Sequence, residues 1–498
     1  MDHELIAAVD LGSNSFRLQV GRVVGNLIYP LDSLKESVRL AAGLTPEKML
    51  DGASKLRALD ALARFGQRLR GFDPEAVRAV ATNTLRVAKN ASQFLPEAEA
   101  ALGFPIEIIA GREEARLIYL GVAHSLANPG TQQLVVDIGG GSTEFIIGRN
   151  FKPIHLESLF MGCVGFSLQF FPGGRVDKRS MKEAELAARK ELQTIVHVYQ
   201  ATGWELAVGS SGTAKALADL IEEDGSSPGG ITRSGLETLR DMLVRAGDAA
   251  RLNLAGMRPD RIPVLPGGLA IMLAVFKEFG IEHMAFSEGA LRLGVLYDLL
   301  GRYHHEDMRE ATVHDFMRRY EVDRTQAERV AKTALMLLAQ LMPETVEEDN
   351  PDARDLLWAA RLHEVGVSLA HSGYHKHSAY ILANADMPGF SRRDQARLSR
   401  LVLAHRGKLE RVLPTVAGAN DWSLIFALRL SALLHRARED EAEPPVRATV
   451  SPRGFQLQAD AAWLSASPLT VAALDEEVRQ WAAIGLELKV KSQRQRPA

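Results

Sequence analysis

D-L-G-S-N-S (Asp10–Ser15) and D-I-G-G-G-S-T (Asp137–Thr143) are two versions of one design. Each puts a carboxylate at the end of an apolar, β-branched run, residues 5–9 and 134–136, and follows it at once with small residues. Such a stretch reads as a strand running into a tight turn whose bare backbone N–H groups can face an anion. One Gly-rich turn says little. Two, with an acidic residue in the same place, imply paired subdomains gripping one phosphate ligand, with a cation bridging the carboxylates and the phosphate oxygens. An Asp directly after a buried strand is costly without a cation or donors nearby; the plainer alternative is a turn-forming Asx residue. Glu144, just past the second turn, can place a third carboxylate nearby.

Outward from these turns the chain alternates strand and helix. Strands are expected at 5–9 and 16–23, the latter opening a hairpin through Gly25–Asn26. An amphipathic helix follows at 54–70, with Leu56, Leu59, Leu62, Ala63 and Leu69 near a 3.6-residue period. Strand 77–81 ends in T-N-T-L-R (Thr82–Arg86), strand 106–110 leads into helix 113–126, and Asn128-Pro129-Gly130 is a linker signal. The pattern then restarts: strand 134–136, a returning strand 144–148, helix 180–201, and strand 205–208 stopping in G-S-S-G-T (Gly209–Thr213). A Pro/Gly break at 226–230 follows, then strand 262–265 before a P-G-G-L-A turn (Pro266–Ala270), and Phe286, Ser287 and Glu288 leading to Gly289 and helix 290–301. This is α/β architecture with binding loops at strand C-terminal ends. Beyond His304 amphipathic helices dominate, at 312–320, 325–342, 352–366, 392–405 and 422–436. An alternating stretch from Ala448, helix 470–484 and strand 486–490 make a small α+β appendage, and 491–498 are polar and frayed. The expected domains are 1–128, 129–303, 304–437 and 438–498.

At 498 residues the chain is too long for one core, and 46% hydrophobic with 24% charged residues is an ordinary globular composition. The single cysteine, Cys163, excludes an internal disulfide framework and a thiolate metal cage, fits a reducing compartment, and reads as a small buried apolar residue. The N-terminus runs straight into the first strand, so no signal peptide is expected, and no apolar stretch reaches the ~20 residues of a membrane span. The expected location is cytoplasmic, with peripheral membrane association left open. A net charge of −3 and 6% aromatics argue against a nucleic-acid coat. Arg392, Arg393, Arg397, Arg400, Arg406, Lys408 and Arg411 form a local basic run, either a groove for a polyanion or a solvated helix face.

G-R-E-E-A-R (Gly111–Arg116) starts a helix at the same end of the sheet as the glycine turns. A Glu there makes sense as the group that orients and deprotonates an attacking water; otherwise it is helix N-terminal charge favoured by the macrodipole. G-S-S-G-T resembles a third anion-binding turn, and Arg86 and Arg17 can neutralise phosphate. L-H-E-V-G (Leu362–Gly366) with His371, His375, His377 and His405 resembles a metal-dependent phosphohydrolase of the HD type. Its His363-Glu364 pair departs from the His-Asp ligands that chemistry requires, so polar packing or anion binding is expected.

Together these motifs, with M-G-C-V-G-F, P-G-G-L-A-I and H-S-G-Y-H-K-H-S-A-Y-I-L, resemble the exopolyphosphatase/guanosine-pentaphosphatase family over almost the whole chain. The resemblance implies two ribonuclease-H-like (actin/sugar-kinase-like) domains around a cleft, a helical HD-like domain and a small α+β C-terminal domain. It implies processive, metal-dependent hydrolysis of the terminal phosphate of inorganic polyphosphate. Glu114 corresponds to the catalytic base. Asp137 and Glu144, with Asp10, would hold the divalent cation, Mg²⁺ or Mn²⁺, and a monovalent cation such as K⁺ is a further candidate. Ser13, Asn14, Ser15, Arg86, Gly139, Gly140, Gly141, Ser142, Thr143, Gly209, Ser210, Ser211, Gly212, Thr213 and Arg261 match phosphate-holding positions. Expected partners are polyphosphate and a second copy of the chain, with no nucleic acid. The segment after Leu362 favours the polyphosphatase branch over its alternative, guanosine pentaphosphate 5′-phosphohydrolase. More distant alternatives are a sugar or carboxylate kinase of the same fold and a non-catalytic polyanion sensor.

Overall fold

The run before Asp10 forms strand β1 (Leu5–Leu11), in which Ile6, Ala7, Ala8 and Val9 are fully excluded from solvent. Burial on both faces places a strand inside its sheet. β1 pairs antiparallel with β2 (Phe16–Val24), which continues to the edge strand β3 (Leu27–Glu36), and parallel with β4 (Val77–Ala81), which pairs with β5 (Ile106–Ile108). The spatial order is β3-β2-β1-β4-β5. Pro30 is accommodated because β3 is at the edge. Helices α1 (Gly52–Arg68), α2 (Asn83–Val87), α3 (Ala91–Leu102) and α4 (Gly111–Ser125) follow in the same half. α1 buries Ala58, Ala61, Leu62 and Phe65, while Leu56, expected on the buried face, is 65% exposed.

The design repeats. β6 (Gln133–Ile138) is buried along its whole length and pairs antiparallel with β7 (Thr143–Arg149), which leads to β8 (Lys152–Leu159). On its other side lie β9 (Leu206–Ser210), then β10 (Ile231–Thr232) and β11 (His283–Phe286), in the order β10-β11-β9-β6-β7-β8. Each sheet therefore has a central strand ending in a glycine turn, an antiparallel meander on one side and parallel strands on the other, with the short β10 added antiparallel at the edge of the second. The helices of this half are α5 (Cys163–Phe170), α6 (Lys178–Leu192), α7 (Val196–Thr202), α8 (Ser211–Glu223), α9 (Arg233–Ala246), α10 (Leu265–Phe279) and α11 (Leu291–Tyr303). α4 and α11 form a middle layer, where Leu117, Ile118, Val122, Val295 and Leu299 share one core with Ile6 and Val80 of the first sheet and Val135, Ile146 and Val208 of the second.

The computed structural model describes residues 3–25, 27–126, 130–223, 229–251, 261–303, 308–346, 350–416, 418–439 and 444–493. Asn26, Asn128, Pro129, Ser226, His304 and residues 494–498, on which expectations fell, lie outside the described residues. The chain divides into two compact units, Met1–Met308 and Arg309–Ala498.

Two local expectations are corrected. The expected strand 262–265 and the P-G-G-L-A turn are a 3-10 turn (Ile262–Val264) and the start of α10. Pro266 occupies the first helical turn, where its missing N–H is no loss. Gly267 and Gly268 allow close packing, since a Cβ there would stand 2.6 Å from the Cys163 carbonyl and 2.5 Å from Thr213 Cγ2. α10 is buried all round, and such a helix shows no amphipathic period to read. The expected helix 180–201 is broken into α6 and α7. Between them the Thr194 hydroxyl donates to the Glu191 carbonyl, competing with helical bonding.

In the second unit the helices are α12 (Met308–Arg319), α13 (Arg324–Leu341), α14 (Pro351–Leu362), α15 (Tyr374–Asn384), α16 (Arg392–Ala404) and α17 (Ala419–Leu434). β12 (Val446–Ser451), β13 (Gly454–Asp460), α18 (Ala461–Ala466), α19 (Pro468–Ala483) and β14 (Glu487–Gln493) complete it. Phe455 of the small sheet stacks on Phe426 of α17 at 4.4 Å, with Trp481 of α19 against both, so the terminal segment joins the helices in one core.

Candidate active site

The two glycine turns meet. A Cβ on Gly140 would stand 3.0 Å from Ser13 Cβ, and one on Gly141 would lie 2.1 Å from Asn83 Nδ2. Only glycine permits this approach. The Ser13 hydroxyl accepts from Thr84 Oγ1 at 2.8 Å, and Gly139 N–H donates to the Ser142 carbonyl at 2.9 Å, closing the second turn. The turns border a cavity of about 780 Å³ lined by Asp10, Ser13, Asn14, Ser15, Glu114, Asp137, Gly139–Ser142, Ser211, Gly212 and Arg261. Glycine loops at strand ends in an α/β unit are where ligands bind.

Asp10, Asp137 and Glu114 line this cavity, and Glu144 lies close behind them. Asp10 Oδ1 is buried without a hydrogen-bond partner. Burial pushes the Asp10 carboxyl up, against the pull of Arg292 and Arg17. Asp137 accepts from Ser210 Oγ at 2.8 Å, yet burial carries it up to about 6. Glu144 lies behind the cavity wall, 1% exposed, and accepts from Ser158 Oγ at 2.7 Å. Burial, then the nearby Glu114 and Asp137 charges, raise it well above the usual range. Glu114 is raised to about 7 by burial and, more weakly, by Asp10 and Asp137, with Arg86 opposing. Arg86 Nη1 donates to Glu114 Oε2 at 3.1 Å and to the Ile109 carbonyl at 2.9 Å, so it holds the Glu114 carboxylate rather than lining the cavity. The adjacent Glu113 takes two bonds from Arg116 at 2.8 Å, which leaves Glu114 as the member of the pair that faces the cleft.

Crowded carboxylates with an orphaned buried oxygen fit a divalent cation. Among the described residues no three His, Cys, Asp or Glu side chains form a metal cage by themselves. An ion here would share its coordination with water and ligand oxygens, the habit of Mg²⁺.

Cationic side chains line the same cavity: Arg17, Lys215, Arg261 and Arg292. A Cβ on Gly212 would fall 2.0 Å from Arg261 Nη2, so the guanidinium lies directly over the G-S-S-G-T turn. Within that turn Ser211 holds a left-handed φ of 78°, a strained geometry at a strand-to-helix junction. Ser211 and Thr213 hydroxyls donate to the Ile138 carbonyl at 3.0 and 2.9 Å, so with Ser210 they serve the site's internal bonding; Ser211 and Gly212 reach the cavity, while Gly209, Ser210 and Thr213 lie behind it. Thr143 is likewise internal, donating to the Met161 carbonyl at 2.5 Å. Lys215 and Arg292 escaped the sequence reading. Both sit near the start of a helix that follows a C-terminal strand end, Arg292 second and Lys215 fifth, which is the signal that could have found them.

In the second unit, His363 Nδ1 lies 2.6 Å from the Ala360 carbonyl, and His405 Nδ1 lies 2.5 Å from that of Val402. Glu364 accepts from Arg438 at 2.5 Å. Burial keeps His363, His375 and His405 below the usual imidazole range. His363 and His405 are thus held by backbone carbonyls, both ring nitrogens of His375 are buried without a hydrogen-bond partner, and no metal-ligating group of three is formed among the described residues. Two members of the basic run are ion-paired: Arg397 with Asp352 and Asp355 at 2.5 Å, and Arg400 with Asp421 at 3.4 Å.

Residues 19–303 match the model of the Ppx/GppA phosphatase family, and residues 308–478 match Ppx/GppA phosphatase, domain III. A guanosine-5′-triphosphate,3′-diphosphate pyrophosphatase of Pseudoalteromonas translucida is 37% identical over 492 residues, 97% of this chain and 98% of the relative. That of Pseudoalteromonas atlantica is 38% identical over 492 residues, 97% of both chains. Among solved structures, an exopolyphosphatase from Cytophaga hutchinsonii superposes with TM-score 0.55 at 24% identity, covering 59% of this chain and 97% of that one, a likeness of fold. The Aquifex aeolicus Ppx/GppA family member gives TM-score 0.51 at 26% identity, over 60% and 99% of the two chains. The chain belongs to the Ppx/GppA phosphatase family and is a phosphoanhydride hydrolase.

Proposed function

We propose that this Ppx/GppA phosphatase removes the terminal 5′-phosphate of guanosine-5′-triphosphate,3′-diphosphate, releasing orthophosphate and the bisdiphosphate. One observation carries the choice of substrate: relatives matched end to end at 37–38% identity bear that name. The expectation of polyphosphate rests on the segment after Leu362, whereas the nucleotide reading has these full-length relatives behind it. Pro30, Leu31 and Phe286 on the cavity wall offer apolar surface to a purine.

The chemistry follows from the charges. Glu114, raised to about 7, can take a proton from water near neutral pH, and Arg86 fixes the direction of its carboxylate. The N–H groups of the two glycine turns orient the terminal phosphate, and Arg17, Arg261, Arg292 and Lys215 neutralise its oxygens as negative charge shifts to the leaving diphosphate. Asp10, Asp137 and Glu144 would hold a Mg²⁺ ion, which supplies charge neutralisation at the phosphoryl oxygens when bound.

The test is phosphate release by purified protein with Mg²⁺ from guanosine pentaphosphate, long-chain polyphosphate and ATP, each as sole substrate. Preference for the pentaphosphate by at least ~10-fold in kcat/KM is expected. Preference for polyphosphate would return the polyphosphatase reading, and release from none would overturn hydrolysis at this cavity.

A further inference from the structure

A buried charge network stands behind the cleft and is not used by the chemistry above. Asp298 of α11 accepts from Arg78 Nη1 at 2.6 Å through one oxygen and from Arg116 Nη2 at 2.5 Å through the other. Arg78 belongs to β4 and Arg116 to α4, so one carboxylate ties together three elements. Arg78 also donates to Glu107 at 3.0 Å, and Arg116 grips Glu113 with two bonds. The side chains of Arg78, Arg116 and Asp298 are 2%, 5% and 6% exposed.

The network lies where the α4 and α11 backbones touch. A Cβ on Gly294 would stand 1.7 Å from the Leu117 carbonyl, and one on Gly121 would stand 2.3 Å from that of Ala290. Apolar contact alone leaves two glycine-faced helices free to slide; charge-assisted hydrogen bonds from two arginines to the two oxygens of one carboxylate are directional and do not. The helices that meet here also carry cleft residues. Glu113, held by Arg116, precedes Glu114 on the first turn of α4, and Arg292 sits on the first turn of α11. Both Glu114 and Arg292 line the cavity together with Asp10 and Asp137.

We propose that Asp298 is a positioning residue for phosphate release: by accepting from Arg78 and Arg116 it locks α11 against α4 in one register, and so holds Arg292 and Glu114 in their places around Asp10 and Asp137. The assignment rests on the phosphohydrolase reading above. An error of about 1 Å in such placement can lower a rate ~100-fold, while ground-state affinity, spread over the turns and arginines, changes less.

The experiment compares Asp298→Asn with Leu299→Ala, a cavity-forming change one residue along the same helix, in the full chain. Thermal midpoint, kcat and KM for phosphate release are measured for each. Asp298→Asn is expected to lower kcat by about 10- to 100-fold with KM within about twofold. Leu299→Ala, with an equal or larger fall in midpoint, keeps kcat near wild type. Wild-type kcat in Asp298→Asn overturns the proposal, as does loss of activity in both variants in proportion to midpoint. Should Asp298→Asn not fold, Arg78→Lys keeps the charge and the Arg116–Glu113 bonds but loses the planar donor that reaches Glu107 and Asp298 together; the same kcat loss supports the assignment and full activity overturns it. A wild type that releases no phosphate from any of the three substrates overturns the phosphohydrolase reading instead, and this assignment with it.

Discussion

Asp137 and Glu144 stand directly opposite one another across the β6–β7 ladder, whereas Asp10, the matching residue of the first hairpin, stands opposite Arg17. Hairpins alike in sequence are thus unlike in charge. Like charges facing across a ladder destabilise it, and burial of both compounds the penalty. The second hairpin holds an excess of negative charge that the first balances within itself, and a cation is the group that would relieve it.

That excess sets a pH dependence in metal-free protein. Asp137 is raised to about 6 and Glu114 to about 7 in the fold, against ordinary values of 3.8 and 4.5. A raised carboxyl favours the protonated folded state, so the stability it contributes is present below about pH 4 and lost as pH climbs through 6 and 7. In EDTA the thermal midpoint should fall by roughly 5 °C between pH 5 and pH 8 from these groups. Millimolar Mg²⁺ should restore it at pH 8 and do little at pH 5, where the ligands are protonated. A midpoint indifferent to Mg²⁺ at pH 8 would remove the cation from this site.

Glu114 carries a sharper prediction. A base must be deprotonated to act, so kcat/KM should rise with pH along an acid limb at or below about 7, a bound cation drawing the limb downward. Glu114→Gln should lower kcat by at least ~100-fold, keep KM within a few-fold, and flatten that limb. Retention of activity with an unchanged profile would assign the base elsewhere.

Much of this was legible beforehand, and the exceptions share a cause. β4 coincides with the expected strand 77–81, and both glycine turns sit where the apolar runs stop, because local steric signals set strand ends. Separating Glu114 from Glu113 needed the family motif; the fold supplies the reason, since Arg116 one turn on claims Glu113. Gly267 and Gly268 were misread as a turn because glycine serves close packing as well as tight turns, and only the neighbours Cys163 and Thr213 tell the two apart. The approach of Arg292 to Asp10 and the tie of Asp298 to Arg78 bridge more than 200 residues of chain, with no local trace in either segment.

Two glycines separate site effects from fold effects. At Gly212 the obstructing atom is the end of the flexible Arg261 side chain, whereas at Gly294 it is the Leu117 backbone carbonyl. Gly212→Ala should therefore fold normally, displace Arg261 from the turn and raise KM by about 10-fold. Gly294→Ala should destabilise by about 1–3 kcal/mol or more through overpacking. Urea unfolding beside steady-state kinetics checks both. A KM unchanged in Gly212→Ala would deny Arg261 a role on the phosphate.

Two roles can be given to Arg292, and substrate KM separates them. It faces Asp10 and Asp137, and it donates to Gln19 Oε1 at 3.3 Å, which fixes its guanidinium at the cavity wall. If it neutralises the phosphate, Arg292→Gln should raise substrate KM and lower kcat/KM by about 10- to 100-fold, because a charge-assisted contact to the phosphoryl oxygens is gone. The same change removes a positive charge beside the carboxylates, so the Mg²⁺ concentration for half-maximal activity should stay the same or fall. If Arg292 serves only as counter-ion to Asp10, Mg²⁺ takes over that task, its half-saturation drops, and substrate KM does not move. We expect the first pattern, since the residue lines the cavity together with Arg17 and Arg261. Titrating Mg²⁺ and substrate independently against the variant decides between them.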